Sequence, residues 1–172
     1  MKRQLLFILP LLFASCIDET GESPNGLQES RYYNTIYGGV YIFNLQHDLY
    51  GKAVIEKALD LIAKHVSEKE DDTTYQEIIS FYQKNIIDVR FHRPYDLPGN
   101  ITGSCNTKLH YRYFIHVEQD EVSDLLSDTA FVHEFLHFIL LEKHRLRGHP
   151  EPWFREYEND INQKLKLYEQ NG

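Results

Sequence analysis

The stretch FVHEFLHFIL, residues 131 to 140, sets two histidines and one glutamate among seven apolar residues. A helix that is apolar on nearly every side has to run through the core of a domain. A polar side chain buried there without a partner costs free energy. The three polar residues therefore require a chemical role, or partners from elsewhere in the chain.

The two histidines of this stretch are placed to bind one metal ion together. His133 and His137 are four positions apart, so both rings project from the same face of a helix, one turn from each other. Glu134 lies about 100° further around the helix, which keeps its carboxylate off the ion but within reach of a bound water. The alternative is a pair of core histidines satisfied by hydrogen bonds, with Glu134 exposed. The spacing favours a Zn²⁺ site, because imidazoles are preferred zinc ligands.

This H-E-x-x-H pattern resembles the zinc motif of the zincin metallopeptidases. The resemblance implies an α+β fold in which a small mixed sheet packs on helices and the motif helix carries the active site. It also implies zinc-dependent hydrolysis of peptide bonds, with Glu134 as the general base that activates the zinc-bound water and later protonates the leaving amine. Peptide or protein substrate would pair with an edge strand before the motif helix, for which LHYRYFIHVE, residues 109 to 118, is the prediction.

A third zinc ligand is expected downstream of the motif, and two residues compete for that role. His149 lies twelve residues after His137, and Trp153 follows it by four positions. This spacing resembles the SprT-like branch of the zincins, although Pro150 stands where that branch usually has glycine. Glu156 lies nineteen residues after His137, which is the spacing of the gluzincin pattern.

Other patterns near the motif are excluded or have a structural interpretation. The shorter metzincin pattern does not fit, because Leu140 and Lys143 occupy the positions of its glycine and its histidine. His144 would lie about 10 Å further along the helix than His137, too far to share the ion. Gly148 can close the helix with a left-handed turn and return the chain toward the site. Candidates for the group that stabilises the oxyanion are Tyr157, His116 and Arg155.

The N-terminus has the layout of a secretory signal in residues 1 to 15. Two basic residues precede an apolar run that is too short to span a bilayer. The sequence FASC, residues 13 to 16, resembles the lipobox of bacterial lipoproteins, which implies cleavage before Cys16, acylation of its thiol and attachment to the outer membrane, on its periplasmic or outer face. Residues 16 to 30 are polar and predict a flexible tether. An ordinary signal peptide with a chance cysteine is the alternative.

Composition limits what residues 31 to 172 can be. They suit one domain. The net charge of −8 for the full chain argues against nucleic acid as a partner, because nucleic-acid-binding domains carry a basic surface. With Cys16 acylated, Cys105 has no disulfide partner and is predicted to be a buried thiol. The periodicity predicts a ribbon or strand at 31–45, helices at 47–66 and from Thr73 or Thr74, strands at 86–92 and 109–118, a helix from about Ser123, and a last helix after Pro152.

Three kinds of function follow from these patterns. The first is a lipid-anchored zinc peptidase that acts outside the cytoplasm. The second is a membrane-tethered binding module that keeps a zincin fold and its zinc without catalysis. The third is a structural lipoprotein without metal. The complete motif, with no ligand replaced, favours the first.

Overall fold

The computed structural model describes residues 31–44, 50–109 and 111–171. The predicted signal peptide, Cys16 and the predicted tether lie outside the described residues, as do Leu49 and His110, so the predictions made for them stay predictions. None of the helices in the described ranges is both long and apolar enough to cross a membrane.

Within the described ranges, one mixed sheet of five strands forms the centre of the domain. The strands are β1 (Arg31–Asn34), β2 (Val40–Asn44), β3 (Ile86–His92), β4 (Gly103–Leu109) and β5 (Arg112–Glu118). Their order in the sheet is β1-β2-β3-β5-β4. Strand β2 pairs with β3 and β3 with β5 in parallel, whereas β1 with β2 and β4 with β5 are antiparallel pairs.

Four α-helices in the described part of the chain accompany the sheet, so the α+β class with a small mixed sheet on helices is confirmed. They are α1 (Lys52–Lys69), α2 (Tyr75–Lys84), α3 (Phe131–His144) and α4 (Glu158–Asn171). Short 3₁₀ turns cover Pro98–Asn100 and Leu126–Asp128, and a π-helical turn, Trp153–Tyr157, leads directly into α4.

The core lies between the sheet and the helices, and all four helices contribute buried residues to it. Along β5 the buried residues Tyr113, Ile115 and Val117 alternate with residues that are partly or fully exposed. On α3, the ring of Phe131 stacks on Phe91 of β3 at 6.1 Å between centroids, and Phe138 meets Tyr113 edge to face at 4.7 Å. Each fully buried phenylalanine contributes about 1.5–3 kcal/mol, so these contacts fix α3 against the sheet.

Most of the predicted elements are present. The first ribbon is the β1–β2 pair with a turn between its strands, and the first helix is α1, whose bounds run later than predicted. Helix α2 begins after Thr74, whose hydroxyl accepts a hydrogen bond from the backbone N–H of Glu77 at 3.2 Å. Cys105 is a free thiol, half-buried against the core, and burial raises its pKa to about 12.

The prediction that residues 109 to 118 form an edge strand is wrong. The strand at 109–118 is β5 for most of its length, and it is paired on both sides, by β3 and by β4. The edge on this side of the sheet is β4, a strand that the sequence analysis did not predict. Its sequence, GSCNTKL, has little apolar content. A strand at the edge of a sheet can form from such residues because its backbone hydrogen bonds to β5, rather than burial of its side chains, hold it.

The motif helix is shorter than predicted at both ends. Helix α3 begins at Phe131, not near Ser123, because polar side chains bind the backbone in the preceding segment: Asp120 accepts hydrogen bonds from the N–H groups of Val122 and Ser123 at 2.8 Å each. The helix ends at His144, where Arg145 adopts the left-handed conformation at φ 56°. The predicted closure at Gly148 is therefore three residues late, although Gly148 also has a positive φ, of 94°.

Candidate metal centre

The motif histidines lie side by side on α3. The rings of His133 and His137 are 4.9 Å apart between centroids, and their Nε2 atoms are 3.2 Å apart. Both rings are only partly buried, unlike the apolar residues around them. The helical periodicity therefore brings two ring nitrogens to one point at the surface of the core.

The chain returns His149 to the same point. After α3 ends, the left-handed residues Arg145 and Gly148 reverse the direction of the backbone. The Nε2 atom of His149 then lies 3.1 Å from Nε2 of His133. One ligand atom from each of His133, His137 and His149 lies within 4.8 Å of the other two.

This donor set fits a zinc ion. A tetrahedral centre with Zn–N bonds of about 2.0–2.1 Å separates its nitrogens by about 3.3–3.4 Å, close to the 3.1 and 3.2 Å found here. Zinc requires neutral imidazoles. Burial, with the neighbouring His133 and His149, lowers the pKa of His137 to about 4, so this ring is neutral at physiological pH. The three residues could hold Zn²⁺ and leave a fourth position open.

A carboxylate that the sequence did not single out orients His133. The Oε2 atom of Glu158, the first residue of α4, lies 3.0 Å from Nδ1 of His133. Burial lowers the pKa of His133, but the hydrogen bond with Glu158 and the negative charges of Glu158 and Glu134 together outweigh burial and raise the pKa overall. When the neutral ring donates Nδ1–H to Glu158, its Nε2 lone pair points toward the other two histidines. A partner of this kind is expected for a metal-bound histidine, but nothing in the sequence selects Glu158 among the glutamates of the chain.

The aromatic residue that packs on the histidines is not the one whose spacing supported the resemblance. Phe154 packs on all three rings, with centroid distances of 4.8 Å to His133, 4.3 Å to His137 and 4.8 Å to His149. Trp153, whose spacing supported the resemblance, is buried instead against His144 at 6.1 Å and Tyr157 at 5.6 Å. Adjacent residues of a helical turn point in different directions, so the structure and not the spacing decides which ring reaches the cluster.

Glu134 lies beside the histidines but faces the edge strand. It is 4 % exposed, and burial raises the pKa of its carboxyl to about 7. A Cβ atom on Gly103 of β4 would lie 2.6 Å from Glu134 Oε1, so only glycine leaves room for this carboxylate. The carboxylate thus occupies the space between α3 and β4. Gly103 is a site residue that the sequence analysis missed.

Glu156, the rival third ligand, lies away from the cluster. Its Oε1 atom is 3.2 Å from Nζ of Lys69, and its side chain is 56 % exposed. The groups considered for the oxyanion also lie elsewhere. The Tyr157 hydroxyl donates to Glu70 at 2.8 Å, and His116 pairs with His92 at 2.8 Å. Neither these two residues nor Arg155 belongs to the residues that line the cleft around the histidines in the described part of the chain.

A cleft of about 1070 Å³ joins these parts of the site. Residues 103 to 107 of β4 form one wall, and His133, Glu134, His137 and His149 form the other. The side of β4 that does not pair with β5 is the edge of the described sheet. The cleft is therefore bounded by an unpaired strand edge and by the three imidazoles.

No model of a known protein family, no curated protein and no solved structure matches the chain. The resemblance to the zincins thus depends on the motif residues quoted above and on the geometry of this site.

Proposed function

We propose that the protein is a zinc-dependent metallopeptidase that hydrolyses peptide bonds outside the cytoplasm. The observation that carries the proposal is the convergence of three imidazole nitrogens, from His133, His137 and His149, next to the buried carboxylate of Glu134. Two histidines one turn apart could be a core pair, but a third imidazole delivered from a separate segment has no need to be there for packing. Bound Zn²⁺ would act as a Lewis acid toward the substrate carbonyl and toward water.

Other roles in the reaction would fall to Glu134, Glu158, Phe154 and Gly103. Glu134 would take a proton from the attacking water on its carboxylate and return that proton to the nitrogen of the leaving amine. Glu158 would hold His133 in the tautomer that presents Nε2 to the ion. Phe154 would keep the three rings in place by packing on them, and Gly103 would leave the space that the Glu134 carboxylate needs.

Strand β4 supplies the binding surface for a substrate. An edge strand presents free backbone N–H and C=O groups, and an extended peptide can add to it as a further strand. Because β4 forms the wall of the cleft opposite the histidines, a peptide paired with it would pass directly over them. This arrangement favours unfolded or extended segments over folded domains as substrates.

The cellular location remains part of the proposal. Acylation of Cys16 would tether residues 31 to 172 to the outer membrane through the polar segment that follows it. One acyl chain gives only marginal membrane binding, whereas several together give a stable anchor. A peptidase held in this way would act on peptides and proteins within reach of the tether.

The test combines metal analysis with proteolysis. The purified chain is expected to contain one zinc ion per molecule and to cleave unfolded casein. The Glu134→Gln protein should retain its zinc but lose at least about 100-fold in cleavage rate, as expected for the removal of a general base. Glu156→Gln, which changes an exposed carboxylate that pairs with Lys69 outside the cleft, is the matched control and should leave cleavage unchanged.

The other possible outcomes identify the alternatives. Zinc in the wild-type protein without cleavage of casein or of any peptide in a library would favour a tethered binding module. A protein that purifies without zinc, and takes up none when zinc is added, would contradict both the peptidase and the zinc-containing binding module.

A further inference from the structure

Three exposed apolar side chains lie at one end of the cleft. Val122 is 94 % exposed, Tyr95 is 76 % exposed and Ile101 is 42 % exposed, and all three line the cleft that contains the histidines. We call these three residues the apolar rim. Side chains of this type are costly to leave in water when they are grouped, and such groups commonly mark interaction surfaces.

The loops that carry the apolar rim are held to each other by hydrogen bonds. The Glu118 carboxylate accepts a hydrogen bond from the N–H of Leu97 at 2.6 Å, and the N–H of Glu118 donates to the carbonyl of Thr102 at 2.8 Å. The Glu121 carboxylate is hydrogen-bonded to the Tyr95 hydroxyl and raises its pKa. The rim is therefore a defined surface made by two loops, and Val122 is presented by a turn at Asp120.

Charge around the cleft is divided unevenly. Glu118, Asp120 and Glu121 line the cleft next to the apolar rim. Among the lining residues in the described part of the chain, Arg147 is the only arginine or lysine. Helix α3 begins beside Gly103, near the rim, and Arg147 follows its other end. Among the described residues that line the cleft, those at the rim end thus carry negative charge and include no lysine or arginine.

We propose that the apolar rim and Glu121 form a docking surface for one flank of the substrate, and that this flank carries an aromatic or aliphatic residue next to lysine or arginine. The proposal rests on the proposed function, since it assigns the flank to a peptide that crosses the histidine cluster. Tyr95, Ile101 and Val122 would cover the apolar side chain. Glu121 would pair with the cationic group, and the surface continues without a break into the wall formed by β4.

Binding measured without cleavage tests this surface. The probes are fluorescein-labelled Ala/Ser peptides of about twelve residues, the length that an added strand and its flanks would cover. In one set of peptides a Phe–Lys pair is placed at each position of the peptide in turn. Two matched sets carry Phe–Glu or Ser–Lys at the same positions. Fluorescence polarisation with the full chain carrying Glu134→Gln reports affinity. At the preferred position Phe–Lys should bind about three- to tenfold more tightly than Phe–Glu, as a partly exposed charge contact allows.

Two variants assign the preference to the rim. Glu121→Lys should remove or reverse the preference for Phe–Lys over Phe–Glu, whereas Glu68→Lys, an exposed site on α1, should leave it unchanged. Val122→Ser should weaken Phe–Lys binding about two- to fivefold through lost apolar burial. Leu167→Ser, which is 60 % exposed on α4 and outside the cleft lining, should have no effect.

The outcomes separate this proposal from the proposed function. Equal binding of the Phe–Lys and Phe–Glu sets, a preference that survives Glu121→Lys, or no measurable binding of any set would overturn the docking surface. Each of these results can occur while the wild-type protein still cleaves casein. Conversely, the expected preferences together with absent cleavage would retain the docking surface and contradict the peptidase.

Discussion

Helix α3 buries two carboxylates, Glu134 near its start and Glu142 near its end, and they differ in their partners. Glu142 is 8 % exposed and accepts a hydrogen bond from the Tyr113 hydroxyl, while Nζ of Lys84 lies 3.1 Å from its Oε2 atom. Glu134 is 4 % exposed and faces Gly103 and the cleft. One glutamate connects α3 to α2 and β5, and the other lies beside three imidazoles.

The pKa values of the two carboxyls are shifted from their ordinary value in opposite directions. Burial alone would raise both. At Glu142 the hydrogen bonds from Tyr113 and Lys84 outweigh burial and lower the pKa below its ordinary value. At Glu134 burial dominates and raises the pKa. The difference teaches that burial does not identify a catalytic carboxylate, because neighbouring donors can convert a buried glutamate into an ordinary structural anion.

The largest expected effect follows from removal of one imidazole. Loss of a residue that only hydrogen-bonds to a zinc ligand typically weakens zinc binding by about 10- to 100-fold. Loss of a ligand itself should weaken it more, and this is expected for each of the variants His133→Ala, His137→Ala and His149→Ala. Metal analysis after dialysis measures this. His144→Ala, at the end of the same helix, should keep its zinc. If the His149→Ala protein still bound zinc as tightly as the wild type, the third ligand would have to be another residue.

Removal of zinc should have the next largest effect. The ion would join α3 to the segment after Arg145, so it stabilises only the folded state. At a zinc concentration about 1,000 times the dissociation constant this contributes about 4 kcal/mol, which corresponds to about 8–16 °C in Tm for a domain of this size. Thermal denaturation with and without a chelator measures the shift. The His149→Ala protein should show almost none, and an unchanged wild-type Tm would indicate that no metal stabilises the fold.

A smaller effect is expected at the residue that orients His133. Glu158→Ala removes the acceptor for Nδ1–H and should weaken zinc binding by about 10- to 100-fold, with little loss of structure. Competition with a zinc-binding dye measures the affinity. Glu156→Ala, two positions earlier and bound only to Lys69, should bind zinc like the wild type. If zinc binding were weakened in Glu156→Ala and not in Glu158→Ala, Glu156 rather than Glu158 would be the residue that supports the zinc site.

The smallest effect is expected at Glu142, the carboxylate that is bound by Tyr113 and Lys84. Glu142→Gln should lower the free energy of unfolding by about 1–2 kcal/mol, because a charged hydrogen-bond acceptor is replaced by a neutral one, while zinc content stays the same. Denaturant unfolding measures this loss.

The pH dependence of that loss has a definite sign. The pKa of Glu142 is lower in the folded state than its ordinary 4.5, so the ionised carboxylate stabilises the fold above that value. The stabilisation is lost as the pH falls through the folded-state pKa. The difference in stability between the wild type and Glu142→Gln should therefore shrink on acidification. A difference that grew at low pH would show that Glu142 is not held as an anion.

Residues in regular helical periodicity were predictable, and residues brought in by separate segments were not. His133, Glu134 and His137 share one helix, so their spacing fixes their relative positions. His149 was one of two candidates, and the return of the chain at Arg145 places it in the cluster while Glu156 pairs with Lys69. Phe154, Glu158 and Gly103 carry no distinguishing spacing, because their role depends on how the π-helical turn, α4 and β4 pack against α3.

The sequence by itself determined the class of the fold, the helix that carries the motif and the pair of imidazoles one turn apart, because these depend on local periodicity and on the apolar surroundings of residues 131 to 140. Only the tertiary structure decided which strand forms the edge of the sheet, which downstream residue joins the histidines and which buried glutamate is held as an anion by Tyr113 and Lys84. Those outcomes are set by contacts between residues far apart in the chain, where closure of the backbone and competition for hydrogen-bond donors select one arrangement among several that the sequence allows.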